Sequence, residues 1–481
     1  MHGRADADLI VVGRVLTGDP RCPAAEAIAV SAGRIVRVGE TRDVLAERTG
    51  RTRVLGGPGT TVVPGFVDAH LHFLALLRRS REVDCSAGAC ATIDDLLARI
   101  ADAAGDRPAG EWIRGFGYDE FFLAEGRHPN RGELDRAAPR NPVRLLHRTG
   151  HAAVLSSLAF AALGRATVAD GLVHEPHDRL PPIVTGEPDD RDVADSAAAE
   201  SSRLLRRGIT TFHDPTADAP ADSIDLLRRL VRGGSIRQRV RVFAGSIEEK
   251  APGDDDAFFR QAGVKLVVPE SGEPAGLRER AVQAANAGSR LAIHAVEPAA
   301  ISVALDVLRS VPGRHRVEHA SLCPPPLAAG LAEVGATVVT HPAFLFEFGD
   351  KYRSEVDADQ WPWLYPLRSL LAAGVRLAFG SDAPIASPHP LANIRAAGER
   401  RTRAGVTIAA DEKIDGTAAL AAHTRGGASA GGDETLLGRI APGFAADLAV
   451  LTGDPTECPA EEIGGIEIQA TVIAGEVAWE R

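Results

Sequence analysis

The chain has 481 residues, 44% hydrophobic and 25% charged, close to the soluble globular average, which excludes extended disorder. That length exceeds one ordinary domain and leaves room for a parallel barrel of about 250 residues with accessory parts. The net charge of −11 comes without a basic patch, which excludes a nucleic-acid partner and favours a small-molecule substrate.

Cys22, Cys85, Cys90, Cys323 and Cys458 are scattered without C-x-x-C spacing, so free thiols in a reducing compartment are expected rather than a disulfide framework. The N-terminal apolar run 9–12 is cut short by Gly13 and Arg14, and it does not read as a secretory segment. No apolar stretch approaches the roughly 18 residues that cross a bilayer. A cytoplasmic protein without membrane contact is expected, and a homodimer is left open.

In chain order, the opening residues read as short strands over 9–16, 27–31, 35–38 and 60–63, separated by Gly33, Gly39 and the run Gly56-Gly57-Pro58-Gly59. The C-terminal runs 447–451 and 466–479 are alternating or apolar and lack a helical period. Two all-β ends around a central body predict one small β-sandwich, 1–63 plus 433–481, with a barrel over 64–432 inserted within it.

Within that body, strand candidates fall at 66–72, 208–214, 239–245, 263–269, 290–295, 315–320, 336–341 and 375–382. Helical spacing in stretches such as 194–207, 277–287 and 300–311 completes a βαβ alternation. The fold class is therefore α/β, a (β/α)8 barrel. One interval breaks the rhythm: a large insertion, about 75–205, follows the first barrel strand. It holds the aromatic cluster Trp112, Phe116, Tyr118, Phe121 and Phe122 and then Gly150-His151. Loops at that rim build active sites in such barrels, so the cluster reads as a roof over the pocket or as a satellite core.

The chemistry lies at the strand ends. Alternate residues of a strand share one side, so His70 and His72 point together while Leu71 points away. The fourth, fifth, sixth and eighth strands end near Lys265, His294, His319 and Asp382, donors that meet only if the fold gathers strand ends at one rim. A lone His-x-His is weak evidence for a metal. Answered by four further donors on separate strands it indicates a metal centre, whereas the core-histidine reading must find buried hydrogen-bond partners for His294 and His319.

Lys265 has three readings: a neutral amine that takes up carbon dioxide as a carbamate ligand, a partner of Glu270 or Glu297, or a holder of substrate carboxylate. Asp382 is the first choice for general base. By strand-end position His213, Asp214, Glu297 and His341 line the pocket or serve plain structural roles. The run His174-Glu175-Pro176-His177-Asp178 reads as a solvated loop, and His423 has no assigned role.

The segments Pro64-Gly65-Phe66-Val67-Asp68-Ala69-His70-Leu71-His72, Gly380-Ser381-Asp382-Ala383-Pro384 and Pro442-Gly443 through Asp447 resemble the amidohydrolase superfamily. Further stretches resemble its family 3 branch, which includes N-substituted formamide deformylases: 128–135, Gly150-His151, 208–214, Gly263-Val264-Lys265, 365–370 and Pro390-Leu391. The resemblance implies a distorted barrel with a β-sandwich and hydrolysis of amide or related C–N bonds. It implies a zinc-type centre of one or two ions on His70, His72, Lys265, His294, His319 and Asp382, and it adds His151 to the substrate-binding candidates. The chain departs from the pattern where Glu297-Pro298-Ala299 replaces a Gly-Asp-Arg type turn and Pro269-Glu270-Ser271-Gly272 replaces Asp-Gly. The expected activity is cleavage of a linear N-acyl or N-formyl amine, with a deaminase, a cyclic-amide hydrolase or a degenerate binding protein as alternatives.

Overall fold

The computed structural model describes residues 7–79, 82–150, 152–174, 190–217, 221–245, 255–269 and 274–481. Two compact units divide the chain, Met1–Phe73 with Ala197–Arg481, and Leu74–Ser196. Among the described residues all the cysteines are free thiols and no helix is long and apolar enough to cross a membrane.

In the first unit both chain ends enter one seven-stranded sheet, in the order Glu476–Glu480, Ile468–Ile473, Leu448–Leu451, Arg53–Pro64, Leu9–Leu16, Ala24–Ser31, Arg34–Gly39. Period-two alternation sorts its side chains: Leu9 and Val11 join one apolar cluster, while Ile10 and Val12 join another with Val44 of the helix Thr41–Leu45. Both faces are thus covered. Gly13 marks a bulge, since a Cβ there would stand 2.6 Å from Thr60 O.

Eight parallel strands form the barrel: β1 (Phe66–Asp68), β2 (Ile209–Asp214), β3 (Arg239–Ala244), β4 (Phe259–Val267), β5 (Arg290–Ala295), β6 (Arg316–His319), β7 (Thr337–Thr340) and β8 (Arg376–Phe379). Each pairs with the next in sequence, as βαβ crossovers dictate. Helices Pro298–Arg309 and Pro325–Glu333 start on proline, whose fixed φ suits the first helical turn. β4 begins before the expected 263 because the Asp256 carboxylate accepts the Phe258 and Phe259 N–H groups and starts the strand early.

Two buried ion pairs tie β3 to the C-terminal segment, Arg239 to Asp447 at 2.7 Å and Arg241 to Asp433 at 2.6 Å. Deleting one partner of such a pair strands a buried charge and costs about 3–5 kcal/mol.

The second unit has its own five-stranded sheet, ordered Leu172–His174, Ala152–Leu155, Val143–His147, Ile113–Tyr118, Val83–Asp84. The helix Ile93–Gly105 packs Ile93, Leu96 and Ile100 onto it, and a capping box of Thr92 and Asp95 fixes the start of that helix. The expected aromatic cluster is split: Tyr118 is in this core, Trp112 packs with Leu155 and Phe160, and Phe121 is exposed against Phe122. His174 ends a strand, and the rest of the 174–178 run lies outside the described residues.

Candidate metal centre

β1 and β8 converge beyond their own ends and close the barrel. Ala69 N–H donates to Phe379 O at 3.0 Å, Asp382 N–H to His70 O at 2.7 Å and His72 N–H to Ala383 O at 2.7 Å. Asp382 is thereby set beside both histidines. Glycine is required at 380, where a Cβ would meet His70 N and Cβ at 2.7 Å and force the two strands apart. Asp68 reinforces the closure, its Oδ1 accepting the Ser381 N–H at 2.9 Å and the His70 N–H at 3.3 Å.

Hydrogen bonds fix which ring nitrogen each histidine presents. His70 Nδ1 donates to Glu318 Oε2 at 2.7 Å, leaving an Nε2 lone pair 3.4 Å from Asp382 Oδ1. The Thr216 hydroxyl donates to Asp214 Oδ1, so its oxygen accepts from His72 Nδ1 at 2.7 Å and leaves His72 Nε2 as a lone pair 3.2 Å from the same Asp382 oxygen. His341 Nδ1 donates to Gly380 O at 2.9 Å, so its Nε2 accepts from His319 Nδ1 at 3.0 Å and His319 Nε2 is freed. The ring of His319 lies 5.0 Å from that of His70 and 4.4 Å from that of His294.

A ring nitrogen and a carboxylate oxygen this close need a positive charge between them, either a proton on the ring or a metal ion. His70, His72 and Asp382 place one ligand atom each within 4.8 Å of one another, as do His70, His319 and His341. Imidazole nitrogens with a carboxylate oxygen are the donor set of a divalent transition metal, so the residues fit such an ion.

Burial is the largest influence on the titration of these groups. It lowers the pKa of His70, His319 and His341, and takes His294 to about 4, with the Lys265 charge adding in each case. At His72 burial is outweighed by Asp382 and the pKa rises. Burial pushes Asp382 up, but His70 and His72 prevail and hold its carboxyl well below the usual range. Burial pulls Lys265 down to about 8, and among the described residues its amine makes no hydrogen bond or ion pair. Glu270, one of the two glutamates expected as its partner, lies outside the described residues.

The fold therefore gathers His70, His72, Lys265, His294, His319 and Asp382 at one end of the barrel. Of the residues expected to line a pocket, His341 is enclosed within the cluster. Glu297 is half-buried at the head of the helix after β5, and His151 lies outside the described residues. His213 departs from expectation: it is fully buried, its Nδ1 accepts from Arg316 at 2.9 Å, and its Nε2 faces Gly431, so it braces Arg316 instead of facing substrate. Asp214 likewise is a brace, its second oxygen accepting the Phe73 N–H at 3.0 Å.

Glu318 and Arg316 escape a sequence reading. Regular alternation puts Glu318 and His319 on opposite sides, but His319 has φ 71°, which turns its ring back toward the face that Glu318 already occupies. Asp382 is also left-handed, with φ 53°.

The amidohydrolase family model matches residues 58–478. The chain belongs to the amidohydrolase family. This amidohydrolase is 27% identical to N-substituted formamide deformylase of Arthrobacter pascens, over 98% of each chain. It is 25% identical to the protein LONG AFTER FAR-RED 3 of Arabidopsis thaliana, over 98% of its own length and 91% of the relative's. Its fold matches an uncharacterized metal-dependent hydrolase of Pyrococcus horikoshii OT3 with a TM-score of 0.75 at 23% identity, covering 94% of this chain and 99% of that one. It also matches a zinc-bound adenosine deaminase of Xanthomonas campestris with a TM-score of 0.60 at 16% identity, covering 98% and 92%. The amidohydrolase is a metal-dependent hydrolase of carbon–nitrogen bonds.

Proposed function

We propose that this amidohydrolase hydrolyses a linear N-acyl or N-formyl amine, with zinc held by His70, His72, His294, His319 and Asp382. The observation that carries the reading is the convergence of the His70 and His72 lone pairs on one Asp382 oxygen. The substrate class rests on the similarity to a formamide deformylase over nearly the full length of both chains.

A divalent cation bound here supplies Lewis-acid polarisation of the scissile carbonyl and brings the pKa of water toward neutrality. Asp382, ionised before turnover, takes a proton from the attacking water on the carboxylate oxygen that is not turned to His70 and His72. The tetrahedral carbon then collapses, and Asp382 returns that proton to the departing nitrogen, so that a neutral amine leaves. His70 and His72 are kept from rotating by Glu318 and Thr216, and the Asp382 N–H to His70 O bond keeps the carboxylate in reach. Lys265, whose pKa burial lowers and whose amine makes no hydrogen bond or ion pair among the described residues, is the residue we assign to carbamate formation: its neutral amine bonds to carbon dioxide and releases a proton to solvent, which replaces a buried cation by an anionic oxygen donor.

The deciding experiment is purification with metal analysis, followed by assay of N-formyl and N-acyl amines for released carboxylic acid and amine. Release of ammonia from amino-heterocycles with no turnover of linear amides would replace this reading by a deaminase. Bound metal with no turnover of either class would make it a binding protein.

A further inference from the structure

A cavity of about 320 Å³ lies within the first unit, and none of the metal donors lines it. Its walls are mostly apolar, with Leu16, Pro20 and Pro23 together with Pro64 and Leu420. Pro64 stands just before β1, whereas His70 and His72 follow that strand's last residue, so the cavity adjoins the end of β1 remote from the metal ligands. A chamber of this size holds a small organic molecule.

Arg425 lines the cavity as a cation without a counter-charge. Among the described residues its guanidinium makes no hydrogen bond or ion pair, and its Nε is buried with no partner. The backbone that carries it is pinned. Arg425 belongs to a π-helical turn, Ala422–Gly426, that is seated on two barrel strands: a Cβ at Gly426 would stand 2.0 Å from Leu377 O of β8, and one at Gly427 would stand 2.6 Å from Val67 Cβ of β1. Gly18 approaches the Arg425 stem, where an added Cβ would lie 3.6 Å from Cδ. Turns of this winding are rare and frequently mark functional sites.

The other charges at the cavity are already matched. Asp19 accepts from Arg21 Nη2 at 2.9 Å and from the Arg21 backbone N–H at 3.0 Å, while Arg14 is paired with Asp454 at 2.8 Å and with Glu457. One guanidinium is left unanswered among apolar walls, and a partly buried charge in that setting is unfavourable until an anion meets it. The planar fork of arginine matches a carboxylate through two parallel N–H···O bonds. A monocarboxylate brings one negative charge to one positive charge, and its hydrocarbon body covers Leu16, Leu420 and the prolines. A phosphate dianion would bring a second charge, beside the Asp19 carboxylate, that nothing in the cavity offsets.

We infer that this cavity is a second ligand site, which takes a small monocarboxylate with an apolar body: the carboxylate on Arg425, the hydrocarbon part against Leu16 and Leu420. It binds and takes no part in bond cleavage.

The test is isothermal titration of hexanoate into the full-length, metal-loaded protein, wild type against Arg425→Gln and Ala421→Phe, with inorganic phosphate titrated into wild type and Arg425→Gln in parallel. Ala421 lines the same cavity, so a phenyl ring there fills it and leaves the guanidinium in place. Wild type is expected to bind one equivalent of hexanoate that weakens about 10–100-fold in Arg425→Gln, the loss for a charged hydrogen-bonding partner, and disappears in Ala421→Phe. Hexanoate held at the metal centre persists in both variants and is told apart in that way. No such equivalent in wild type, or the same one in all three proteins, would overturn the inference and leave Arg425 to water. Phosphate that binds wild type as tightly as hexanoate and is lost in Arg425→Gln would overturn the choice of a monocarboxylate. Arg425→Gln deletes a charge that has no partner, so it should melt no lower than wild type, and it decides the matter even if Ala421→Phe folds poorly.

Discussion

His70 Nδ1 lies 2.7 Å from Glu318 Oε2, and both side chains are fully enclosed. Glu318 is itself gripped by Arg316, whose Nη2 donates to the same Oε2 at 2.7 Å, and Arg316 reaches on to His213 at 2.9 Å. A chain of buried polar groups thus runs from β2 through β6 to β1 and ends on a metal-facing nitrogen. Such outer contacts set both the tautomer and the basicity of a ligand imidazole. The Arg316 charge, against the opposing effect of burial, keeps Glu318 ionised with a pKa of about 2, so the acceptor stays anionic throughout the working range.

Glu318→Gln is accordingly expected to weaken zinc binding about 10–100-fold. The amide still accepts from His70, so the ring keeps its place, but the anion behind it is gone. Competition with a chromophoric chelator measures the affinity; an unchanged value would separate the His70–Glu318 bond from metal affinity.

Asp382→Asn should lower kcat by about 10²–10⁴-fold, the range for loss of a positioned general base. The backbone bond from Asp382 N to His70 O is untouched by this change, so the melting temperature of the metal-loaded protein should move little. Near-normal turnover in the variant would assign the proton transfer to another group.

The donors His70, His72, Lys265, His294, His319 and Asp382 were legible because each sits where an apolar run ends, and the eight barrel strands because their intervals carry helical spacing. What holds the donors was not. Glu318 lies in plain sight beside His319, yet its part depends on a left-handed φ at His319 that strand periodicity does not encode. Asp214 and Thr216 act on His72 across the β1–β2 register, a pairing between residues far apart in sequence. His213 ends its strand as His294 does, and only the packing of Arg316 shows that it faces inward to a guanidinium. In the insertion, Val83–Asp84 and Leu172–His174 are too short for alternation to be read, and they exist because neighbouring strands supply their hydrogen bonds.

Lys265→Ala should reduce both activity and zinc content, and a small carboxylate such as formate or acetate should restore part of the activity by entering the space vacated by the side chain. In the wild type, protein stripped of metal and degassed should regain activity faster when zinc is added with bicarbonate than with zinc alone. Identical recovery in the two conditions would return Lys265 to the role of a cation that holds substrate.

His423 offers a pH test away from the metal. Its ring is fully buried between Phe66 and Phe379, its Nδ1 lies 3.3 Å from Val67 O, and burial holds its pKa at about 3, against 6.5 for the free side chain. Above pH 6.5 neither the folded nor the unfolded chain carries this proton. As the pH falls from about 6.5 toward 3 the unfolded chain binds it and the folded chain does not, so stability drains away across that window, by on the order of 4 kcal/mol at its acid end. His423→Asn keeps an N–H donor near Val67 O but cannot titrate. Its stability at pH 7.5 should be lower than wild type because a cavity is left, while its further loss between pH 6.5 and 4.5 should be smaller by about 2 kcal/mol. Urea melts of both proteins at these pH values measure the difference, and parallel losses would show that the ring is protonated, or reached by water, in the folded state.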